Sequence, residues 1–317
     1  MLETGKLDSE LLKEIVFDTI KYRRPEIITR PGIGEDCAEI DFGESICTVS
    51  TDPITASVKD IGRLSIHISC NDIASNGVQP LGIMLSVLLP VGTTEDDVRK
   101  IMEQAAKAAE QMEVEIIGGH TEITEAVNKP VITSTAIGRD VKDGKTRDAE
   151  PGDLIFVTKT VGIEGTGLIA SERDDIGNIL NEEEIEYAKS MLDRVSVVSE
   201  GVAAGKIGFK AMHDITEGGV LGAVWEMATV TGLGAEIKRD AIPIDPVTEK
   251  VCAGYGVDVL RLISSGSMLI IASPDKEEEL RKNIKEISVI GIITDQGITM
   301  DGEEIAPPGS DEIYSVI

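Results

Sequence analysis

The chain has 317 residues, enough for two domains and a sizeable core. Its 57 acidic and 30 basic side chains leave a formal charge of −27, which disfavours nucleic acid and anionic membrane surfaces as partners. Aromatics are only 3%, too few for a base-stacking platform, but a divalent cation can still bridge carboxylates to a nucleotide's phosphates.

In chain order, "SELLKEIVFDTI" (9–20) carries Leu11, Leu12, Ile15, Val16 and Ile20 at helical spacing behind a Ser9 N-cap. A Gly- and Pro-bearing loop, "PGIGEDCAEI" (31–40), follows. "ESICTVSTD" predicts a strand ending in Asp52, and "IGRLSIHISCNDIASNGV" a helix that carries Asp72 and Ser75. "LGIMLSVLLP" is apolar without alternation, which predicts a strand covered on both faces. Thr93 or Thr94 caps the next helix, with Val98, Ile101, Met102, Ala105, Ala109 and Met112 as its apolar stripe. "VEIIGGHTE" predicts a strand that breaks at its two glycines, and "PVITSTAIG" another strand. The polar segment 140–153 is the expected domain boundary, giving domains 1–150 and 151–317. Beyond it "LIFVTKTVG", "SMLIIAS" and "SVIGIIT" predict strands, with helices over 182–200, over 218–231 and in "PDKEEELRKNIKEI". The order of elements is that of an α/β or α+β fold.

Four cysteines without C-x-x-C spacing point to reduced thiols, and three separated histidines without H-E-x-x-H argue against zinc. The first residues lack the basic and apolar regions of a signal peptide, and the apolar stretch 81–92 is too short to span a bilayer. A cytoplasmic protein is expected.

The acidic and polar clusters of the first half fall at strand ends or on a nearby helix: Glu35 and Asp36, Asp52, Asn71 and Asp72, and the 118–122 stretch "GGHTE". Strand ends let a rigid sheet aim several short side chains at one volume. Aspartate there offers the hard oxygens that Mg²⁺ prefers, although Asp52 before Pro53 also suits a simple turn. In "HDITEGG", Asp214 and Thr216 precede Gly218 and Gly219, which expose amides at a helix start and suit an anion, or an ordinary N-cap. Neither "GIGEDCA" nor "TVGIEGTG" is a P-loop or a dinucleotide fingerprint.

Taken in order, "GEDCA", "STD", "CNDIA", "GGHTE", "HDITEGG" and "SSGSML" resemble the AIR synthase superfamily of ATP-dependent enzymes, which also holds HypE, selenophosphate synthetase and thiamine-monophosphate kinase. "STDP", "NDIAS" and "HDITEGG" are most similar to HypE and its relatives. The resemblance implies two α/β domains, with N-terminal domains pairing into a dimeric β-barrel, and ATP with Mg²⁺ in an acidic cleft. It implies Asp36, Asp52 and Asp72 as metal ligands. Asn71, Gly118, Gly119, His120, Thr121, Gly218 and Gly219 join Asp36 and Asp52 around the nucleotide, and Asp72, Glu122 and Asp214 are the catalytic group. The implied activity is phosphorylation of an amide or carbonyl oxygen of a small-molecule or protein-borne substrate, with a maturation partner. The alternatives are AIR synthase itself and a non-catalytic nucleotide-binding accessory protein. HypE ends in a cysteine that carries its substrate; this sequence closes in "GSDEIYSVI", so the nucleotide site is expected to be inherited and the dehydration chemistry is not.

Overall fold

The computed structural model describes residues 9–55, 59–141 and 148–317. A six-stranded sheet is built from β1 (Ile27–Thr29), β2 (Ala38–Asp41), β3 (Ser45–Ile54), β4 (Pro80–Pro90), β5 (Glu115–Thr124) and β6 (Val131–Val141), in the order β1-β2-β3-β6-β4-β5. Its neighbours are antiparallel except β4 and β5, which run parallel. α1 (Ser9–Ile15) precedes the sheet; α2 (Ile61–Ser75) and α3 (Glu95–Gln111) cover one of its faces.

The second sheet runs β13-β12-β9-β11-β7-β10-β8. Its strands are β7 (Leu154–Thr158), β8 (Ala211–Asp214), β9 (Gly234–Ile237), β10 (Met268–Ala272), β11 (Ile287–Thr294), β12 (Ile298–Met300) and β13 (Glu303–Glu304). The helices are α4 (Ile163–Glu172), α5 (Glu182–Ser190), α6 (Val198–Ile207), α7 (Gly219–Thr231), α8 (Pro246–Tyr255) and α9 (Glu277–Asn283). Mostly antiparallel sheets make this an α+β arrangement of two units. The first sheet ends at Val141 and the second begins at Leu154, while residues 142–147 of the expected boundary lie outside the described residues. Among the described residues no helix is long and apolar enough to cross a membrane.

α3 starts where its local signals put it. Thr94 accepts from Asp97 N at 3.2 Å while the Asp97 carboxylate takes Thr94 N at 2.9 Å, a reciprocal capping box. α2 is buried on nearly every side, because the first sheet and α3 lie against it and α6 and β8 of the second unit close over the rest.

Five expectations change. β4 is covered on one face only: Leu81 and Met84 are about half exposed. β3 continues past Asp52 to Ile54, and β5 continues through its glycines instead of breaking. Gly119 sits at φ +145° beside a register shift between β4 and β5, and a Cβ there would lie 1.9 Å from the Leu85 carbonyl oxygen, so the pairing needs a residue without a side chain. The helix over 182–200 is α5, a 3₁₀ turn at Met191–Arg194, and then α6. Its break is tertiary, since the backbone at Val195 and Val197 bonds Asn71 of α2. The N-terminal helix stops at Ile15 and continues as a 3₁₀ turn, Phe17–Thr19, with Ser9 inside the first turn.

Candidate active site

Alternation along β3 turns Thr48, Ser50 and Asp52 toward α2, and Thr48 and Ser50 are buried. α2 presents Asp72 to the same space, where Ser50 Oγ donates a short hydrogen bond to Asp72 Oδ2. One turn on, Ser75 Oγ lies 2.6 Å from the Asp72 carbonyl and 3.1 Å from Asp36 Oδ2. Cys37 Sγ donates to the Asp72 carbonyl at 3.1 Å, so the loop carrying Asp36 is stitched to the C-terminal turn of α2.

The second unit supplies β8. Its His213 holds Asp36 Oδ2 through Nδ1 and Glu226 Oε2 of α7 through Nε2, each at 2.8 Å. Burial opposes charge on this ring, but the two carboxylates prevail and hold its pKa well above the usual histidine value. His213 is therefore an imidazolium linking the two units. Asp214 follows it, buried, and one ligand atom from each of Asp36, His213 and Asp214 lies within 4.8 Å of the others.

Negative charge dominates this space. Burial first, then the Asp214 charge, the hydrogen bond and charge of Asp52, and Asp36 push the Asp72 carboxyl well above the ordinary carboxylate range. Several carboxylates gathered in one buried space favour a bound cation, which would offset their mutual repulsion. The donors on offer are hard oxygens of Asp36, Asp52, Asp72 and Asp214, which suit Mg²⁺. Both nitrogens of His213 are engaged by carboxylates, so the ring acts as counter-charge and is not counted among the donors.

Asp36, Asp52, Asp72 and Asp214 thus come together. Asn71 has a different contact: fully buried, it donates Nδ2 to the Val195 carbonyl at 2.8 Å and accepts Val197 N at 2.9 Å, which fills its amide with the second unit's backbone. Gly218 and Gly219 open α7 with positive φ, and a Cβ on Gly219 would lie 2.5 Å from the Leu260 carbonyl oxygen. Gly218 N is held by Asp311 at 2.7 Å, and Tyr314 donates to Glu217 at 2.8 Å, so the C-terminal segment braces this turn.

The 118–122 stretch lies elsewhere within one chain. Asp52 pairs with Ser134, Ser134 with Leu85, and Leu85 with Gly119, which puts β5 three strands away, about 14 Å at ordinary strand spacing. His120 and Glu122, paired at 2.9 Å, are exposed on the sheet face opposite to Asp52, whereas Gly119 and Thr121 alternate to the face of α2 and α3.

Sequence reasoning did not assign Ser50, Ser75, His213 or Glu226 to this site. Ser50 carried a usable signal, since it is two residues from Asp52 on a strand and shares its face. Ser75 is three residues from Asp72 on a helix, a neighbouring position. His213 and Glu226 carried none, because their meaning depends on Asp36, 177 residues from His213.

The AIR synthase related protein N-terminal domain model matches residues 34–139, and the C-terminal domain model residues 150–301. The chain belongs to the AIR synthase related protein family. A putative hydrogenase expression/formation protein of Methanocaldococcus jannaschii is 27% identical over 293 residues, 89% of this chain and 84% of that protein. Carbamoyl dehydratase HypE of Bradyrhizobium diazoefficiens is 29% identical over 251 residues, 76% of this chain and 71% of that protein. The crystal structure of the hydrogenase maturation protein HypE in complex with ATP shares the fold at a TM-score of 0.69 and 20% identity, covering 98% of this chain and 97% of that one.

Proposed function

We propose that this family member is an Mg²⁺-dependent ATP-using enzyme that phosphorylates an amide or carbonyl oxygen of its substrate. The observation that carries this is the convergence of the Asp36, Asp52 and Asp214 carboxylates on the buried carboxyl of Asp72, a set of hard oxygens from both units of the fold. HypE relatives named carbamoyl dehydratase, and a HypE of the same fold that binds ATP, support the activity class.

Bound by these aspartates, Mg²⁺ would supply charge neutralisation for the transferring phosphoryl group. The chain's own residues do the positioning. Ser50 and Ser75 orient Asp72 and Asp36, and His213 fixes Asp36 from the second unit and offsets part of the negative charge. Asp214 closes the donor set beside the Gly218–Gly219 turn. The substrate oxygen bonds to the γ-phosphorus as the bond to the β-phosphate oxygen breaks, and ADP leaves.

The enzyme works as a homodimer. Leu81, Met84 and Ile117 are each about half exposed along β4 and the edge strand β5, an apolar surface that a second copy would cover. Pairing there gives the 118–122 stretch, remote from its own chain's aspartates, a site to serve across the interface: Glu122, His120 and Thr121 would approach the partner copy's nucleotide. A protein partner of the hydrogenase-maturation kind goes with this assignment, on the strength of the relatives. Calorimetric titration with ATP tests the core of it. Binding that requires Mg²⁺ and vanishes with EDTA is expected; equal binding in EDTA would overturn it.

A further inference from the structure

A cavity of about 640 Å³ lies between the N-terminal helix and the loop that leads to Asp36. Among the described residues four cations, Lys13, Arg23, Arg24 and Arg30, line it against a single carboxylate, Asp18. In a chain of net charge −27 such an excess is a local reversal of sign. Lys13 and Arg24 are matched, at 2.9 Å to Asp18 and 2.6 Å to Glu26. Arg23 and Arg30 instead donate to the backbone carbonyls of Tyr22 and Arg24, at 3.1 and 3.0 Å, contacts that satisfy an N–H and, among the described residues, bring no carboxylate into ion-pair distance of either guanidinium.

Apart from Tyr22 and Thr229, the rest of the wall is apolar. Phe17, Ile20, Ile27 and Ile33 line it, and Ile20 is 44% exposed. The volume falls in the range of small-molecule sites, roughly 300–1,000 Å³, and guanidinium groups bind phosphate or carboxylate in paired hydrogen bonds. Pro31, Gly32 and Ile33 form part of this wall, and Asp36 lies three residues beyond on the same loop.

We propose that this cavity binds a small organic anion, with Arg23 and Arg30 holding its phosphate or carboxylate and the Phe17–Ile33 wall holding an apolar body. Only its assignment as the second substrate of the ATP reaction rests on the function proposed above; the anion site itself does not.

Calorimetry of the full-length protein without ATP, using phenyl phosphate, phenylacetate and inorganic phosphate as probes, tests this. One-to-one binding of phenyl phosphate or phenylacetate is expected, and whichever binds more tightly identifies the phosphate or the carboxylate as the natural group. The combined Arg23→Gln, Arg30→Gln variant should lose at least tenfold in that affinity. Phe17→Ala should weaken the aryl probe and leave inorganic phosphate unchanged. Both arginines are on the outside of the fold, so an unchanged thermal midpoint confirms that the variant is folded. No binding of either aryl probe, or undiminished binding in the double variant, would overturn the anion site, and inorganic phosphate binding as tightly as phenyl phosphate would overturn the apolar body. Mg²⁺-ATP titration of the same samples separates the two claims: its failure removes the phosphorylation chemistry and leaves the anion site standing.

Discussion

His67 and Glu164 are buried ionisable groups whose pKa values move in opposite directions. Burial, with the charges of Arg63 and Lys159, lowers His67 to about 4. Burial, with the charges of Asp311 and Glu217, raises Glu164 to about 7. The folded state therefore holds His67 neutral where the unfolded chain would take a proton, so this residue's contribution is full above pH 6.5 and lost as pH falls toward 4. Glu164 does the reverse: folded, it keeps a proton that the unfolded chain releases, and its contribution is lost as pH rises from 4.5 to 7. Each effect is worth about 3 kcal/mol at most, at ~1.4 kcal/mol per pKa unit, so the two largely cancel between pH 4.5 and 6.5. Glu164→Gln should unmask a stability that climbs with pH across that window, and His67→Gln one that falls. Urea melts at pH 4.5, 5.5 and 6.5 read both slopes; parallel profiles in the two variants would refute the pairing.

At the scale of elements, Asn71 ties α2 to the segment between α5 and α6. Asn71→Ala would leave the Val195 carbonyl and the Val197 amide unpaired in a buried place, at a cost of about 2–4 kcal/mol. Hydrogen exchange should rise first at residues 195–201, with the two sheets retaining protection; protection unchanged at 195–201 would contradict the clamp. The same contact shows where the sequence was legible. Thr94 and Asp97 cap α3 from three residues apart, and such local signals were readable. The stop between α5 and α6 was not, because its cause lies 124 residues away in Asn71. β4 failed for a related reason: an unbroken apolar run says that both faces avoid water, not that the same chain covers both. The aspartates of the site could be gathered from ordered motifs, whereas the bond of His213 to Asp36 needed the fold.

For the whole molecule, the apolar surface along β4 and β5 predicts the assembly. Ile117 is 49% exposed on the edge strand, and Ile117→Asp should convert a dimer into a folded monomer, read by light scattering coupled to size exclusion. A wild-type monomer at tens of micromolar would contradict the homodimer. The site imposes a second molecular property. Asp72 keeps a proton at a cost that grows as pH rises, since the folded state binds the proton more tightly than the unfolded chain does. Without a divalent cation, stability should therefore fall as pH climbs above the ordinary carboxylate range, and Asp72→Asn should relieve this fall, read by urea melts of variant and wild type at pH 5 and 7 in EDTA.

That substitution also separates the site's function from its stability. Calorimetric titration of Asp72→Asn with ATP in the presence of Mg²⁺, beside the wild type, is the most direct measurement. A variant at least as heat-stable as the wild type, but with Mg²⁺-dependent ATP affinity reduced tenfold or more, is the predicted result. ATP affinity unchanged by the substitution, with the same dependence on Mg²⁺, would contradict the placement of the metal and nucleotide at these aspartates.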